Sequence, residues 1–257
     1  MQAPKMCGDS PGKQMAPNPF SLANKTILIT GAGGGIGGQT ARACAALGAK
    51  LILADRDEPN HLATALNSSG TQCQSVAFDV RDREATERLI QEVGTPDGVV
   101  VNAGFCPWDN WNDDNWDAVF DTVIDINVKS VVHLTRAVLP GMIQRGSGKI
   151  VIVSSVAARS GGLRASPHYI AAKGGVSAMV KWLARKGAPA GVQINAICPG
   201  ATNTAMTDGQ PFELSHIPMG RMAEVNEIAL PIAFLLSKGS DYMAGATLDV
   251  NGGVYMG

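Results

Sequence analysis

The sequence predicts an α/β fold: a doubly wound, mostly parallel seven-stranded sheet with helices on both faces. Three observations predict it. Short apolar, β-rich runs alternate with helical patterns from Lys25 onward. The runs are apolar throughout, as strands buried on both faces must be. No linker, repeat or shift in composition interrupts the alternation along the 257 residues, a length common for one large domain of this type.

The elements follow in order. Residues 26–30 (Thr-Ile-Leu-Ile-Thr) form a β-rich run ending in glycines, and a helix is expected over 36–47, stopped by Gly48. Further strands are expected at 50–54, 75–78, 98–101, 149–153, 192–197 and 247–250. Helical patterns lie between them at 58–67, 82–93, 113–144, 168–186 and 224–237. Residues 1–24 differ, with Pro4, Pro11, Pro17 and Pro19 among glycines and polar residues, and read as a flexible tail. They carry no apolar run like a signal-peptide core. Residues 25–257 read as one catalytic domain.

Composition narrows the function. The formal net charge of -1 offers no basic field for nucleic acid or an anionic membrane. No apolar stretch is long enough to span a bilayer. Five scattered cysteines, never spaced C-x-x-C, suit neither a disulfide scaffold nor a zinc cluster. A reducing cytoplasm is the expected location, and no metal is expected.

In a sheet of this type ligands bind beyond the carboxyl ends of the strands. The first strand runs into Thr30-Gly31-Ala32-Gly33-Gly34-Gly35-Ile36-Gly37-Gly38 and then a helix. A helix N-terminus offers free N–H groups and positive dipole to a pyrophosphate, and glycines allow the close approach. Two registers fit: Gly33, Gly35 and Gly38, or Gly31, Gly35 and Gly37. The second is preferred because Gly31 follows the strand directly, where the turn must begin. Gly31, Gly34, Gly35, Ile36 and Gly37 are thus the candidate dinucleotide contacts. Asp55 ends the second strand, where an acidic side chain can bind the adenosine ribose hydroxyls. That favours NAD over NADP, with the adjacent Arg56 softening the preference.

Tyr169 and Lys173 are four apart in a helical stretch, so they share a face. An ammonium near a phenol lowers its pKa, which makes Tyr169 a candidate general acid/base. Ser154 and Ser155 end the fifth strand at the same edge of the sheet, and Asn127 lies in the long helix before it.

Together these features resemble the short-chain dehydrogenase/reductase family, whose fold is Rossmann-type, over roughly residues 21–257. The resemblance rests on Thr30-Gly31-x-x-x-Gly35-x-Gly37, Asp79-Val80, Asn102-Ala103-Gly104, Asn127, Ser155, Tyr169-x-x-x-Lys173, Pro199-Gly200 and Asn251-Gly252-Gly253. It implies that Ser155 binds the substrate oxygen, Tyr169 exchanges a proton with it, and Lys173 holds the nicotinamide ribose and tunes Tyr169. Asn127 would anchor a proton-relay water. Asp79 and Val80 would flank the adenine, and Asn102, Ala103 and Gly104 the adenosine ribose. Thr202 and Thr204, after Pro199 and Gly200, would meet the carboxamide. Ser155 is chosen over Ser154, at a spacing from Tyr169 one residue longer than the family's usual one.

The resemblance places the pocket walls in three loops, offering Phe105, Cys106, Pro107, Trp108, Leu163, Pro167, Met206 and Phe212. An uncharged, apolar ketone or secondary alcohol is the expected substrate. Arg159 and Arg164 read as solvated loop arginines, with binding of a substrate carboxylate as the alternative. His168 reads as structural, Trp116 as core and Cys106 as inert. Two further functions stay open: a 3-oxoacyl-[acyl-carrier-protein] reductase, and a non-catalytic nucleotide sensor. The resemblance also implies a homotetramer, supported by apolar residues on more than one side of the helices (Val131, Val132, Leu134, Val138, Met179, Val180, Trp182, Leu183).

Overall fold

The structure, a computed structural model, describes residues 18–162 and 164–257. Seven strands form one sheet in the order β3-β2-β1-β4-β5-β6-β7, and every neighbouring pair is parallel. They are β1 (Thr26–Thr30), β2 (Lys50–Asp55), β3 (Cys73–Ala77), β4 (Gly98–Val101), β5 (Gly148–Val153), β6 (Val192–Pro199) and β7 (Thr247–Val250). The order reverses between β1 and β4, which opens a crevice at their carboxyl ends.

Alternate residues of each strand feed opposite cores. Ile27, Ile29, Leu51 and Leu53 pack under α1 (Gly35–Ala46), α2 (Asn60–Ser68) and α8 (Val225–Leu236). Leu28, Ile52, Val99 and Ile150 pack on the other face under α3 (Arg83–Val93), α5 (Ser130–Arg145) and α7 (Pro167–Gly187). A short α6 (Ala157–Ser160) precedes α7.

Three expectations change. The helix expected over 113–144 is divided: α4 (Trp116–Ile124) passes into a π-helical turn, Asp125–Lys129, before α5. The turn contains Asn127, whose side chain bonds to a loop outside the helix. β3 starts earlier than its apolar run, because Cys73 and Gln74 pair with Leu51 and Ile52 at the edge of the sheet, where polar side chains reach water. Leu22, placed in the tail by composition, is buried, and its N–H donates to the Leu47 carbonyl. Residues 1–17 of that tail lie outside the described residues.

Much of the surplus apolar surface on the long helices is used inside the subunit. Val131, Leu134, Val138, Val180 and Leu183 are buried in the second core, whereas Trp182 is 58% exposed. Among the described residues no helix is long and apolar enough to cross a membrane.

Candidate active site

The glycine turn has the geometry a phosphate needs. Gly34 caps α1 in an extended conformation with no side-chain hydrogen bond, and the first turn carries no acidic residue. The first N–H groups of α1 are therefore free for an anion. Gly31 and Gly35 have φ of +65° and +54°. A Cβ on Gly37 would lie 2.1 Å from the Gly31 carbonyl oxygen, whereas Cβ atoms on Gly33 and Gly38 would come no nearer than 3.0 and 3.3 Å to their neighbours. The preferred register, Gly31, Gly35 and Gly37, is thus the one with steric force. Gly37 itself packs against the turn and faces no cavity.

Asp55 is pinned at the end of β2. One carboxylate oxygen accepts the Gly33 N–H at 2.8 Å and the other accepts the Arg56 N–H at 2.7 Å. The Arg56 side chain is exposed and lies 3.7 Å from Asp57. Asn102 locks the next strand to the turn: its amide donates to the Thr30 and Gly31 carbonyls at 3.0 and 3.1 Å. This fixes the cradle from behind, a use of the Asn102 side chain that differs from contact with a ribose. Asp79 is gripped by the Arg81 guanidinium, whose hydrogen bonds hold its carboxyl below the usual range.

A cavity of about 860 Å³ runs from this cradle across the sheet edge. Gly31, Gly34, Gly35, Ile36, Asp55, Asp79, Val80, Asn102, Ala103 and Gly104 line one part of it. Ser155, Tyr169, Lys173, Pro199, Gly200, Thr202 and Thr204 line the rest. The bare helix terminus, the glycines a Cβ would obstruct and the acidic Asp55 together fit a nicotinamide dinucleotide.

At the far end α7 presents Tyr169 and Lys173. Lys173 is 4% exposed, and its ammonium donates to the Val153 carbonyl at 3.0 Å, with Nζ 5.7 Å from the centre of the Tyr169 ring. Burial lowers the Lys173 pKa to about 8. Burial around the half-buried Tyr169 pushes its phenol well above the usual range, and the Ser155 side chain pulls weakly the other way. Desolvation is the largest influence on the Tyr169 phenol, so the lowering expected from Lys173 does not set its proton affinity in the protein alone.

Ser154 and Ser155 both line the cavity and differ in their hydrogen bonds. The Ser154 hydroxyl is buried against the Lys173 carbonyl at 3.0 Å and the Ser177 hydroxyl at 2.8 Å. Ser155 lines the cavity and touches the proton balance of Tyr169. Asn127 is 1% exposed; its amide donates to the Phe105 and Val123 carbonyls at 2.8 and 2.9 Å, and its oxygen accepts the Phe105 N–H at 3.2 Å. Thr202 donates to the Gly200 carbonyl, and the Thr204 methyl sits 3.2 Å from where a Gly35 Cβ would be.

The walls differ in part from expectation. Phe105, Cys106, Trp108, Met206 and Phe212 line the cavity; Pro107 and Pro167 do not, and Leu163 lies outside the described residues. Arg159 is only partly solvated and is not free for a substrate, since it pairs with Asp249 at 3.2 Å and lies over the Tyr255 ring. His168 is fully buried, bonded to Asp109 at 2.9 Å and stacked on Trp116. Burial pushes the Cys106 thiol up to about 11, in keeping with an inert residue. Sequence reasoning missed Arg81, Thr207, Glu213 and His216. Thr207, in the segment after β6, accepts the Thr204 N–H and donates to the Thr202 carbonyl at 2.6 Å.

Fold and site define a nicotinamide-dependent oxidoreductase. The sequence profile described as enoyl-(acyl carrier protein) reductase matches residues 31–255. Oxidoreductase UcpA of Salmonella typhimurium is 38% identical over 90% of this chain and 95% of its own. An Agrobacterium tumefaciens structure, provisionally assigned as a 2-deoxy-d-gluconate 3-dehydrogenase with bound NADP, superposes with a TM-score of 0.85 at 34% identity, covering 92% of this chain and 98% of its own. A 3-oxoacyl-[acyl-carrier protein] reductase from Brucella melitensis with bound NAD gives 0.86 at 29% identity, covering 98% and 99%. The chain belongs to the short-chain dehydrogenase/reductase family.

Proposed function

We propose that the protein interconverts a secondary alcohol and a ketone with NAD(H), as an alcohol dehydrogenase or carbonyl reductase, using Tyr169 as the proton-transfer group. The observation that carries this reading is the meeting of Tyr169, Ser155 and Lys173 in the cavity that begins at the glycine cradle. The bound nicotinamide supplies or accepts the hydride. Ser155 donates a hydrogen bond to the substrate oxygen and orients it toward Tyr169. Burial keeps the Tyr169 proton in place, so the phenol is ready to donate it to the oxygen of a ketone. Lys173 supplies positive charge beside the ring as its own proton is loosened. Asn127 holds the loop at Phe105 against the π turn, and with it Gly104, whose missing side chain leaves room beside Lys173 Nζ.

Asp55 supports NAD over NADP, because a 2′-phosphate would meet a carboxylate already fixed by two backbone N–H groups. On this reading Asp79 and Val80 flank the adenine, and Thr202 and Thr204 face the carboxamide. The part of the wall made by Phe105, Trp108, Met206 and Phe212 supports a small uncharged substrate. Trp182, exposed on α7, supports a homotetramer, and the four free cysteines described support a cytoplasmic setting. A second reading, a carrier-protein thioester as substrate, is supported by the likeness to the Brucella reductase.

A spectrophotometric screen of ketones, secondary alcohols and an acetoacetyl thioester with NADH and NADPH, or their oxidised forms, tests the assignment. Coenzyme-linked turnover of free ketones or alcohols supports the first reading. Turnover of the thioester alone supports the second, and no hydride transfer to any of them contradicts both.

A further inference from the structure

Trp108 is one of two non-glycine residues with positive φ among the described residues, at +58°. A bulky side chain is strained in this left-handed backbone and stays there only where its surroundings hold it. Both sides of Trp108 are held. Immediately after it, Asp109 is fixed to the start of α7: its carbonyl and one carboxylate oxygen accept the Ser166 hydroxyl, and the other oxygen pairs with His168 Nε2 at 2.9 Å. His168 is immobilised in turn by stacking on Trp116, with ring centres 5.2 Å apart. The anchor therefore sits one residue from Tyr169.

On the other side, the Trp108 indole N–H donates to the Met206 carbonyl at 2.8 Å, and its ring meets Phe212 edge-on at 5.6 Å. Met206 and Phe212 belong to the irregular segment between β6 and α8. Trp108, Met206 and Phe212 all line the cavity that holds Ser155 and Tyr169. One side chain thus joins the loop after β4, anchored through Asp109, to the segment after β6 across that cavity.

We propose that Trp108 determines substrate specificity in this enzyme: its indole is the wall that limits the length of the group attached to the reacting carbon, and its bond to Met206 latches that wall. The proposal rests on the reading that the reacting carbon sits at Ser155 and Tyr169. The Asp109 anchor fixes the backbone, and the Met206 bond and the Phe212 ring hold the indole, so a longer chain has to break those contacts and a cutoff follows. A glycine at 108 would adopt the same φ without strain, so removing the ring leaves the loop conformation accessible.

The test uses the straight 2-alkanones from butanone to 2-decanone. Their kcat/KM with NADH is measured for wild type, Trp108→Phe and Trp108→Gly. Their dissociation constants are measured by quenching of bound NADH fluorescence in the Tyr169→Phe background, which reads the length profile without turnover. Wild type is expected to lose roughly tenfold or more in both quantities beyond a limiting length. Trp108→Gly should abolish the cutoff, and Trp108→Phe, with a ring but no N–H, should fall between. A Trp108→Gly profile identical to wild type overturns the proposal, as does a wild-type profile that is flat or shows no binding. Near wild-type turnover by Tyr169→Phe would instead overturn the proton-transfer reading, with the length profile still measurable.

Discussion

Lys173 is buried beside Tyr169, its Nζ 5.7 Å from the ring centre and bonded to the backbone of β5 at Val153. The lysine is thus fixed by the sheet, while the tyrosine, one helical turn earlier on α7, faces the cavity. Each side chain carries a proton whose affinity burial has changed, in opposite directions for a base and an acid.

That burial has a measurable cost. Lys173 falls from its ordinary 10.5 to about 8 in the folded protein. Between those values the unfolded chain binds the extra proton, so this group makes stability rise with pH across that window; below about 8 its full penalty is present. Wild type measured against Lys173→Met by urea denaturation should gain on the order of 3 kcal/mol between pH 7 and 10.5, with Cys106, which feels the Lys173 charge, replaced by Ala in both backgrounds. A pH-independent difference would contradict a buried, proton-losing Lys173.

Two glycines of the cradle should fail in different ways. Gly37→Ala places a Cβ 2.1 Å from the Gly31 oxygen and should destabilise the fold by about 1–3 kcal/mol or more. A Cβ on Gly34 meets nothing within 4 Å, so Gly34→Ala should stay within about 0.5 kcal/mol of wild type while weakening coenzyme binding. Thermal melts with and without coenzyme separate the two. Equal stability losses would undo the register.

The paired serines give a sharper contrast. Ser155→Ala should lower kcat by about tenfold or more, as loss of one hydrogen bond to the substrate oxygen predicts, and should cost at most about 1 kcal/mol of stability through the Ala157 N–H that its hydroxyl accepts at 3.1 Å. Ser154→Ala should cost about 1 kcal/mol of stability, because its hydroxyl joins the Lys173 carbonyl to Ser177. The reverse pattern in a urea titration and a rate assay would transfer the substrate contact to Ser154.

Coenzyme choice depends on Asp55. Wild type should favour NAD(H) over NADP(H) on the order of a hundredfold in kcat/KM, and Asp55→Ala should largely erase the ratio. The carboxylate is already held at 2.8 Å by Gly33, so it has little freedom to turn away from a phosphate. Preference for NADP(H) in wild type, or an unchanged ratio in the variant, would refute this.

Much of this was legible in the chain. The inner strands announce themselves because burial on both faces demands unbroken apolar runs, as in Ile27, Leu28 and Ile29. The Tyr169 and Lys173 pair follows from helical spacing alone. The start of β3 was hidden because an edge strand tolerates Cys73 and Gln74. The π turn at Asn127 has no compositional mark; it depends on Phe105, 22 residues away. Arg159 looked like a loop arginine because its partner, Asp249, lies 90 residues on. Trp108 gave no sign of its positive φ, which contacts distant in sequence impose.

The most direct test of the central claim is single-turnover hydride transfer by Tyr169→Phe on a ketone that wild type reduces. NADH should bind with near wild-type affinity, since the phenol hydroxyl lies with Ser155 at the substrate end of the cavity. The rate of NADH oxidation should fall by at least about a hundredfold. Hydride transfer at close to the wild-type rate would contradict Tyr169 as the proton-transfer group.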